Sequence, residues 1–419
     1  MSRTLFVLGP VLMVSAVLAA DVKQPESIDS LATHRQVAVI SMADQERPLK
    51  INAFCLNGND QIVAACGNGP GEIRLIDQNG TILRWWSVAV KPEAVHVADD
   101  ETILVGGEGK LFRFSSDGKE LQQAESPHAA ALRAGTEQLR KEAIQVLTRS
   151  SNTLGARIEL YERVIAQLEE KGKKGELNDQ EQRMLNLLPQ TLEQFRKQAA
   201  LQPEQDEKSG PSEEAIQQQV ANLIKSKMRI SSVSSGADAV FVATRSQQGY
   251  GYDVWKMDRE FSAGKIIVTG LRGCCGQMDV QCCRNGLFVA ENSRHRVVRY
   301  DADGAEVTSW GKQDRSGVDG FSSCCNPMNV CFNKAGEVFT AESGTGRIKR
   351  FTADGEFVSY VGDVDLVPGC KNVSIAVTAD AGKVFMLDLT RNHIVMMKPG
   401  SAAKDADADT AADGRTEGR

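Results

Sequence analysis

Between Leu271 and Gly362 the chain states one pattern twice, and that repetition constrains its fold more than any local signal. Cys274-Cys275-Gly276-Gln277-Met278-Asp279 is answered by Cys324-Cys325-Asn326-Pro327-Met328-Asn329. Ala290-Glu291-Asn292 returns as Ala341-Glu342-Ser343, and Arg296 to Tyr300 returns as Arg347 to Phe351. Within each unit, short β-branched runs alternate with Gly, Asn and Asp, the mark of a small antiparallel sheet.

The strand followed by a Gly-containing turn recurs elsewhere. Ile73 to Ile76 precedes Asn79-Gly80, and Leu111 to Phe114 precedes Asp117-Gly118. Val254 to Met257, Val297 to Tyr300, Ile348 to Phe351 and Ile394 to Met397 follow, making six copies. Gln36 to Ile40 reads as a lone strand ahead of the first. The last copy has residues for about three strands only, so the lone strand is expected to complete it. Six such units are most simply closed into a ring, which leaves only short, protected edges. The expected fold is all-β, a six-bladed β-propeller with an inserted α-helical hairpin or bundle. The propeller occupies 36–125 (closing strand and blades one and two) and 228–400 (blades three to six).

The insertion, 126–227, changes composition to Ala, Gln, Glu, Leu and Lys, with few strand formers. Ile158, Tyr161, Ile165 and Leu168 fall at helical spacing, as do Leu185, Leu188, Leu192 and Phe195, and Ile216, Val220, Leu223 and Ile224. Ser126-Pro127 starts a helix, and Asn178 with Glu181 forms a capping box. Breaks are expected at Lys171-Gly172 and Lys174-Gly175, with a polar link from Pro203 to Pro211. The segment reads as a coiled-coil-like decoration, or as an arm for a protein partner or self-association.

Arg3, an apolar run from Leu5 to Leu18 and then Ala19-Ala20 make residues 1–20 a secretory signal peptide, with no membrane span after cleavage. The expected location is periplasmic or extracellular. Residues 401–419 lack aromatics and read as a disordered tail. A formal net charge of −6 argues against nucleic acid, which requires basic stripes.

Pro327 to Asn333, and Val289-Ala290-Glu291-Asn292-Ser293-Arg294-His295-Arg296-Val297, resemble the NHL family of six-bladed propellers. The resemblance implies the fold and assigns His295 and His393 to blade packing. Some enzymes of this fold bind zinc through several channel histidines. This chain has five His and no such set, which weighs against a lyase or hydrolase reading.

Ten cysteines in an exported chain are the remaining chemical signal. On the repeat, Cys274-Cys275 and Cys324-Cys325 lie just before the innermost strands of units four and five, and Cys370 falls on the same slot of unit six. These five are expected to converge at one mouth of the channel. Glu291, Glu342 and Asp388 end the neighbouring strands at that face, and Cys66 holds a related slot in unit one. Cys55 and Cys331 fall mid-strand as inert thiols, and Cys282-Cys283 lie at the opposite end. Three outcomes stay open for the main group: interblade disulfides such as Cys275–Cys325, vicinal disulfides within each doublet, or thiolate ligation of zinc, copper or an iron–sulfur centre. The spacing matches no C-x-x-C signature. Passage of an unfolded chain through the secretory route disfavours an iron–sulfur centre.

The leading function is a non-catalytic binding scaffold, taking a protein or small-molecule ligand at a mouth suited to a metal or redox centre. The competing class is a metal-dependent lyase or oxidoreductase working at that same mouth.

Overall fold

The computed structural model describes residues 28–41, 48–200, 210–315, 317–369 and 371–400. The expected signal peptide, the tail, Cys370 and most of the polar link lie outside the described residues.

The first strand of the described residues is β1 (His34–Ser41), after a short 3-10 turn at Ile28–Leu31. Blade one follows as β2 (Ile51–Leu56), β3 (Ile62–Cys66), β4 (Gly71–Ile76) and β5 (Ile82–Val88). Blade two is β6 (Ala94–Val97), β7 (Ile103–Gly107), β8 (Lys110–Phe114) and β9 (Glu120–Glu125). Among the described residues four α-helices intervene: α1 (Pro127–Ala134), α2 (Thr136–Lys173), α3 (Asp179–Ala200) and α4 (Glu213–Lys227). Blade three is β10 (Ile230–Ser235), β11 (Val240–Arg245), β12 (Tyr252–Met257) and β13 (Lys265–Leu271). Blade four is β14 (Asp279–Cys283), β15 (Gly286–Glu291), β16 (Arg296–Tyr300) and β17 (Glu306–Trp310). Blade five is β18 (Asn329–Phe332), β19 (Val338–Ala341), β20 (Arg347–Phe351) and β21 (Phe357–Asp363). The last blade has β22 (Ile375–Val377), β23 (Val384–Asp388) and β24 (His393–Pro399).

Each sheet is a four-stranded antiparallel meander, and the sixth is completed by β1, in the order β1-β24-β23-β22. Ile40 stands opposite Ile394 and Val39 opposite Val395. β2 touches β22 and β6 touches β2, so the innermost strands run round a closed circle. The chain is a six-bladed β-propeller.

The turn chemistry explains the repeated Gly. Asp77 accepts the Gly80 N–H at 3.1 Å through its carbonyl, and its carboxylate takes the N–H groups of Asn79 and Thr81. The same four-residue turn recurs at Asp301–Gly304. It needs a positive φ, +90° at both glycines, where a side chain is strained. Blade three lacks the Gly, and Phe261 takes the left-handed conformation there, with φ 58°.

The core lies between blades rather than inside one layer. Val289 and Val298 of blade four pack with Tyr252 and Val254 of blade three, and Ile62 of blade one with Phe385 and Leu387 of blade six. Because both faces of an inner strand are covered, β3, β7 and β23 are buried along their whole length.

Among the helices, Ser126 precedes α1 in extended conformation, with Pro127 at the first helical position. The Asn178–Glu181 capping box forms reciprocally, at 2.9 and 3.1 Å. One expectation is corrected: α2 does not break at Lys171-Gly172 but runs on to Lys173, and the chain reverses at Gly175, where φ is +73°. Gly172 keeps helical geometry at a cost of only about 1 kcal/mol against Ala. α2 and α3 pair along the expected apolar seam, with Tyr161 edge-on to Phe195 at 5.2 Å. At the base the attachment is polar and buried. The Lys227 ammonium sits 3.0 Å from Glu142 of α2 and donates to the carbonyls of Ser246, Gln247 and Gly249 in blade three. No described helix is long and apolar enough to cross a membrane.

Candidate functional site

The two Cys doublets lie on loops that enter the innermost strands, Cys274-Cys275 before β14 and Cys324-Cys325 before β18. Each loop is clamped by an asparagine. The Asn292 carboxamide accepts the Cys274 N–H at 2.8 Å and donates to the Gln277 carbonyl at 3.0 Å, gripping both ends of the Cys274–Gln277 turn. Held that way, Cys275 adopts φ 55° and Gly276 φ 72°. A left-handed Cys is strained by about 1 kcal/mol or more, so the clamp over-determines its backbone. In blade five the roles are exchanged. Asn326, on the doublet loop, accepts the Ser343 N–H at 3.0 Å and donates to the Ser322 carbonyl at 2.7 Å.

These loops lay four sulfurs in a row across two blades. Cys274 Sγ stands 3.5 Å from Cys275 Sγ, which stands 3.5 Å from Cys325 Sγ. Cys325 Sγ is in turn 3.1 Å from Cys324 Sγ. The sulfurs of Cys274, Cys275 and Cys325 lie within 4.8 Å of one another. Cys324 is exposed and Cys325 fully buried, while Cys275 and Cys274 on the adjacent blade are half-buried. These sulfur contacts exceed the bonded distance of about 2.05 Å.

Glu291, Glu342 and Asp388 do stand at equivalent strand ends, but their carboxylates are committed elsewhere. Glu291 accepts the Arg272 N–H at 2.8 Å and pairs with Arg294 and Arg296. Glu342 accepts the Ser322 N–H at 2.9 Å and pairs with the fully buried Lys349. Asp388 accepts the N–H groups of Val367, Thr390 and Arg391. Each acid therefore ties the loop entering its own blade to the second strand of that blade. None belongs to the sulfur group, and neither does Cys66. Cys66 is buried, points at the Ala64 carbonyl, and has its thiol pushed up to about 12 by burial.

Below the mouth the central channel has a volume of about 210 Å³ and is lined by Cys55, His96, Asp279, Cys282 and Cys331 among others. Burial pushes the Cys55 and Cys282 thiols up to about 12 and raises Cys331 as well, which keeps all three protonated and unreactive. Burial likewise lifts the Asp279 carboxyl to about 6, against hydrogen bonds from Val330, Gln281 and Ser232. Gln277 closes the upper end by bonding across to Val373.

Sequence reasoning passed over Asn292, Asn326, Gln277 and Tyr252. The first three sit inside the duplicated motifs and were visible there, as polar residues at turn positions. Tyr252 had no local signal. Its ring lies against Gly273, where a Cβ would come within 2.5 Å of Cε2, and its buried hydroxyl has no hydrogen-bond partner among the described residues. Burial raises its phenol above the ordinary value, Arg245 and Arg229 oppose the rise, and the Cys274 and Cys275 thiols add to it.

No family model matches the sequence, and no curated protein matches it. Among solved structures, a streptogramin B lyase is 11% identical over 88% of this chain and 98% of its own, with a TM-score of 0.42. A gluconolactonase from Xanthomonas campestris is 10% identical over 87% of this chain and 99% of its own, at 0.41. The Pan2 WD40 domain of Neurospora crassa is 7% identical over 88% of this chain and 96% of its own, at 0.42. Likenesses this distant carry nothing about activity, and the order of the sheets alone defines the fold.

Proposed function

We propose that this protein is an exported propeller of NHL type, a binding scaffold that captures one soft metal ion at its mouth through Cys274, Cys275 and Cys325. The observation that carries the reading is the approach of those three sulfurs to within 4.8 Å, from two blades, on loops clamped by Asn292 and Asn326. Metal–sulfur bonds of about 2.3 Å in a tetrahedral site place sulfurs roughly 3.8 Å apart, so the contacts of 3.5 Å need to open only slightly. Thiolates select Zn(II) or Cu(I) over hard cations. Either ion can be acquired after export, which an assembled iron–sulfur centre cannot. Binding requires the thiols to lose their protons, so it releases protons and weakens in acid.

The test is titration of the reduced, metal-free full chain with Zn(II) and with Cu(I) against a chromophoric chelator. One ion per chain is expected, lost in C275S and C325S and retained in C55A. A wild-type chain that takes up neither ion, or a C275S/C325S variant that still binds one, overturns the reading.

A further inference from the structure

The sulfur row has a polarity that ion binding does not use. Cys324 is exposed, its neighbour Cys325 is fully buried, and Cys275 lies beyond Cys325 on the adjacent blade. Of the four, Cys324 alone is exposed, Cys274 and Cys275 being half-buried, and each sulfur touches the next at 3.1 to 3.5 Å. Closing any one contact to a bond requires a movement of about 1 to 1.5 Å. The remaining described cysteines lie apart from this group, and burial drives the thiols of Cys55, Cys66 and Cys282 up to about 12.

We propose that the row is a thiol–disulfide exchange site, which takes oxidising equivalents from a small-molecule or peptide disulfide and stores them as a Cys275–Cys325 bond between blades four and five. The Cys324 thiolate attacks one sulfur of the incoming disulfide, forming a mixed disulfide and expelling the first thiolate. Cys325 then attacks the Cys324 sulfur and expels the second. Adjacent Cα atoms are only 3.8 Å apart, short of the 4.4 to 6.8 Å that a disulfide favours, so the Cys324–Cys325 bond is strained. Cys275, 3.5 Å from Cys325 Sγ, attacks that sulfur and returns Cys324 to its thiol. Two protein thiols and one substrate disulfide become one protein disulfide and two substrate thiols, and the two protons released end on those leaving thiols. Strain in the first bond gives the transfer its direction.

This activity needs the thiols but no metal, so it goes beyond ion capture and can fail separately from it. The experiment uses the reduced full chain in a chelator, with glutathione disulfide as the probe, acid quenching, alkylation and peptide mapping. The expected product is a single Cys275–Cys325 link, with two glutathione thiols released per chain. C324S should slow oxidation by about tenfold or more, because the exposed nucleophile is gone. C325S should trap glutathione on Cys324 as a stable mixed disulfide. C324S alters an exposed side chain, and circular dichroism confirms that each variant is folded. Oxidation of C324S at the wild-type rate, glutathione left on wild-type Cys324, or a link formed elsewhere would each overturn the proposal. Failure here with ion uptake intact leaves the metal reading standing, and the reverse result leaves exchange standing.

Discussion

Gln277 reaches across the mouth of the channel and pairs with the backbone of Val373, skipping a whole blade. Its carboxamide donates to the Val373 carbonyl at 2.8 Å and accepts the Val373 N–H at 3.1 Å, and both residues are buried. Blade four is thereby tied to blade six across the channel. Replacing Gln277 by Ala leaves a buried N–H and a buried C=O without partners, which should lower stability by about 1 to 3 kcal/mol. Gln277→Glu should be at least as harmful, since a carboxylate cannot donate to the carbonyl. Urea unfolding monitored by tryptophan fluorescence reads both, and an unchanged midpoint for Q277A would show that the bridge contributes nothing.

A second prediction concerns the base of the helical insertion. Lys227 and Glu142 are 3% and 8% exposed, and the ammonium also serves three carbonyls of blade three. Lys227→Met strands a buried carboxylate and those carbonyls, so a loss of about 3 to 5 kcal/mol is expected. Adding Glu142→Leu should recover part of it, because the unpaired charge is then gone. Chemical denaturation of the single and double variants forms the cycle, and equal losses in both would contradict the coupling.

The distal hairpin behaves differently from its base. Beyond the crossing of α2 and α4, marked by the Arg140–Glu213 pair at 2.6 Å, α2 and α3 pack on each other through Tyr161, Leu168, Leu192 and Phe195. Joining residue 148 to residue 210 by a short Gly/Ser link should leave a cooperative, β-rich unfolding transition, since closing a loop at exposed ends costs little. Removing the entire 126–227 stretch should be far more damaging, because it takes away Glu142, Lys227 and the buried His128. Differential scanning calorimetry of the two deletions separates them, and equal melting temperatures would sink the distinction.

Two buried groups should shape the pH dependence with opposite signs. Burial lowers His128 from 6.5 to about 4, so its contribution is complete above pH 6.5 and is lost as pH falls toward 4. A shift of that size corresponds to about 3 kcal/mol. Burial raises Asp279 from 3.8 to about 6, so its contribution is complete below pH 3.8 and is lost as pH rises through 6. Its size is again about 3 kcal/mol. H128N should therefore flatten the acid side of the stability profile, and D279N should gain relative stability at pH 7. Unfolding free energies measured from pH 4 to pH 7.5 test both, and parallel profiles for all three proteins would contradict the assignments.

Six β units, a helical interruption and a strand waiting for a partner were legible in the residues themselves. Strand alternation, the Asp-x-x-Gly turn and the helical apolar period are local signals, repeated often enough here to outvote exceptions such as Phe261. Placement of the Cys doublets on the repeat was also local, because equal slots in a ring differ only by rotation. The partners of side chains at those slots were not legible. Glu291, Glu342 and Asp388 occupy strand ends beside the mouth, yet whether each faces a thiol or a loop N–H depends on how the entering loop folds back. The sulfur row likewise exists only because Asn292 and Asn326 clamp two loops from adjacent blades, and Gln277 finds Val373 only across a closed ring. Contacts between residues fifty to a hundred positions apart arise from the radius of the ring and the path of its loops, which tertiary structure alone decides.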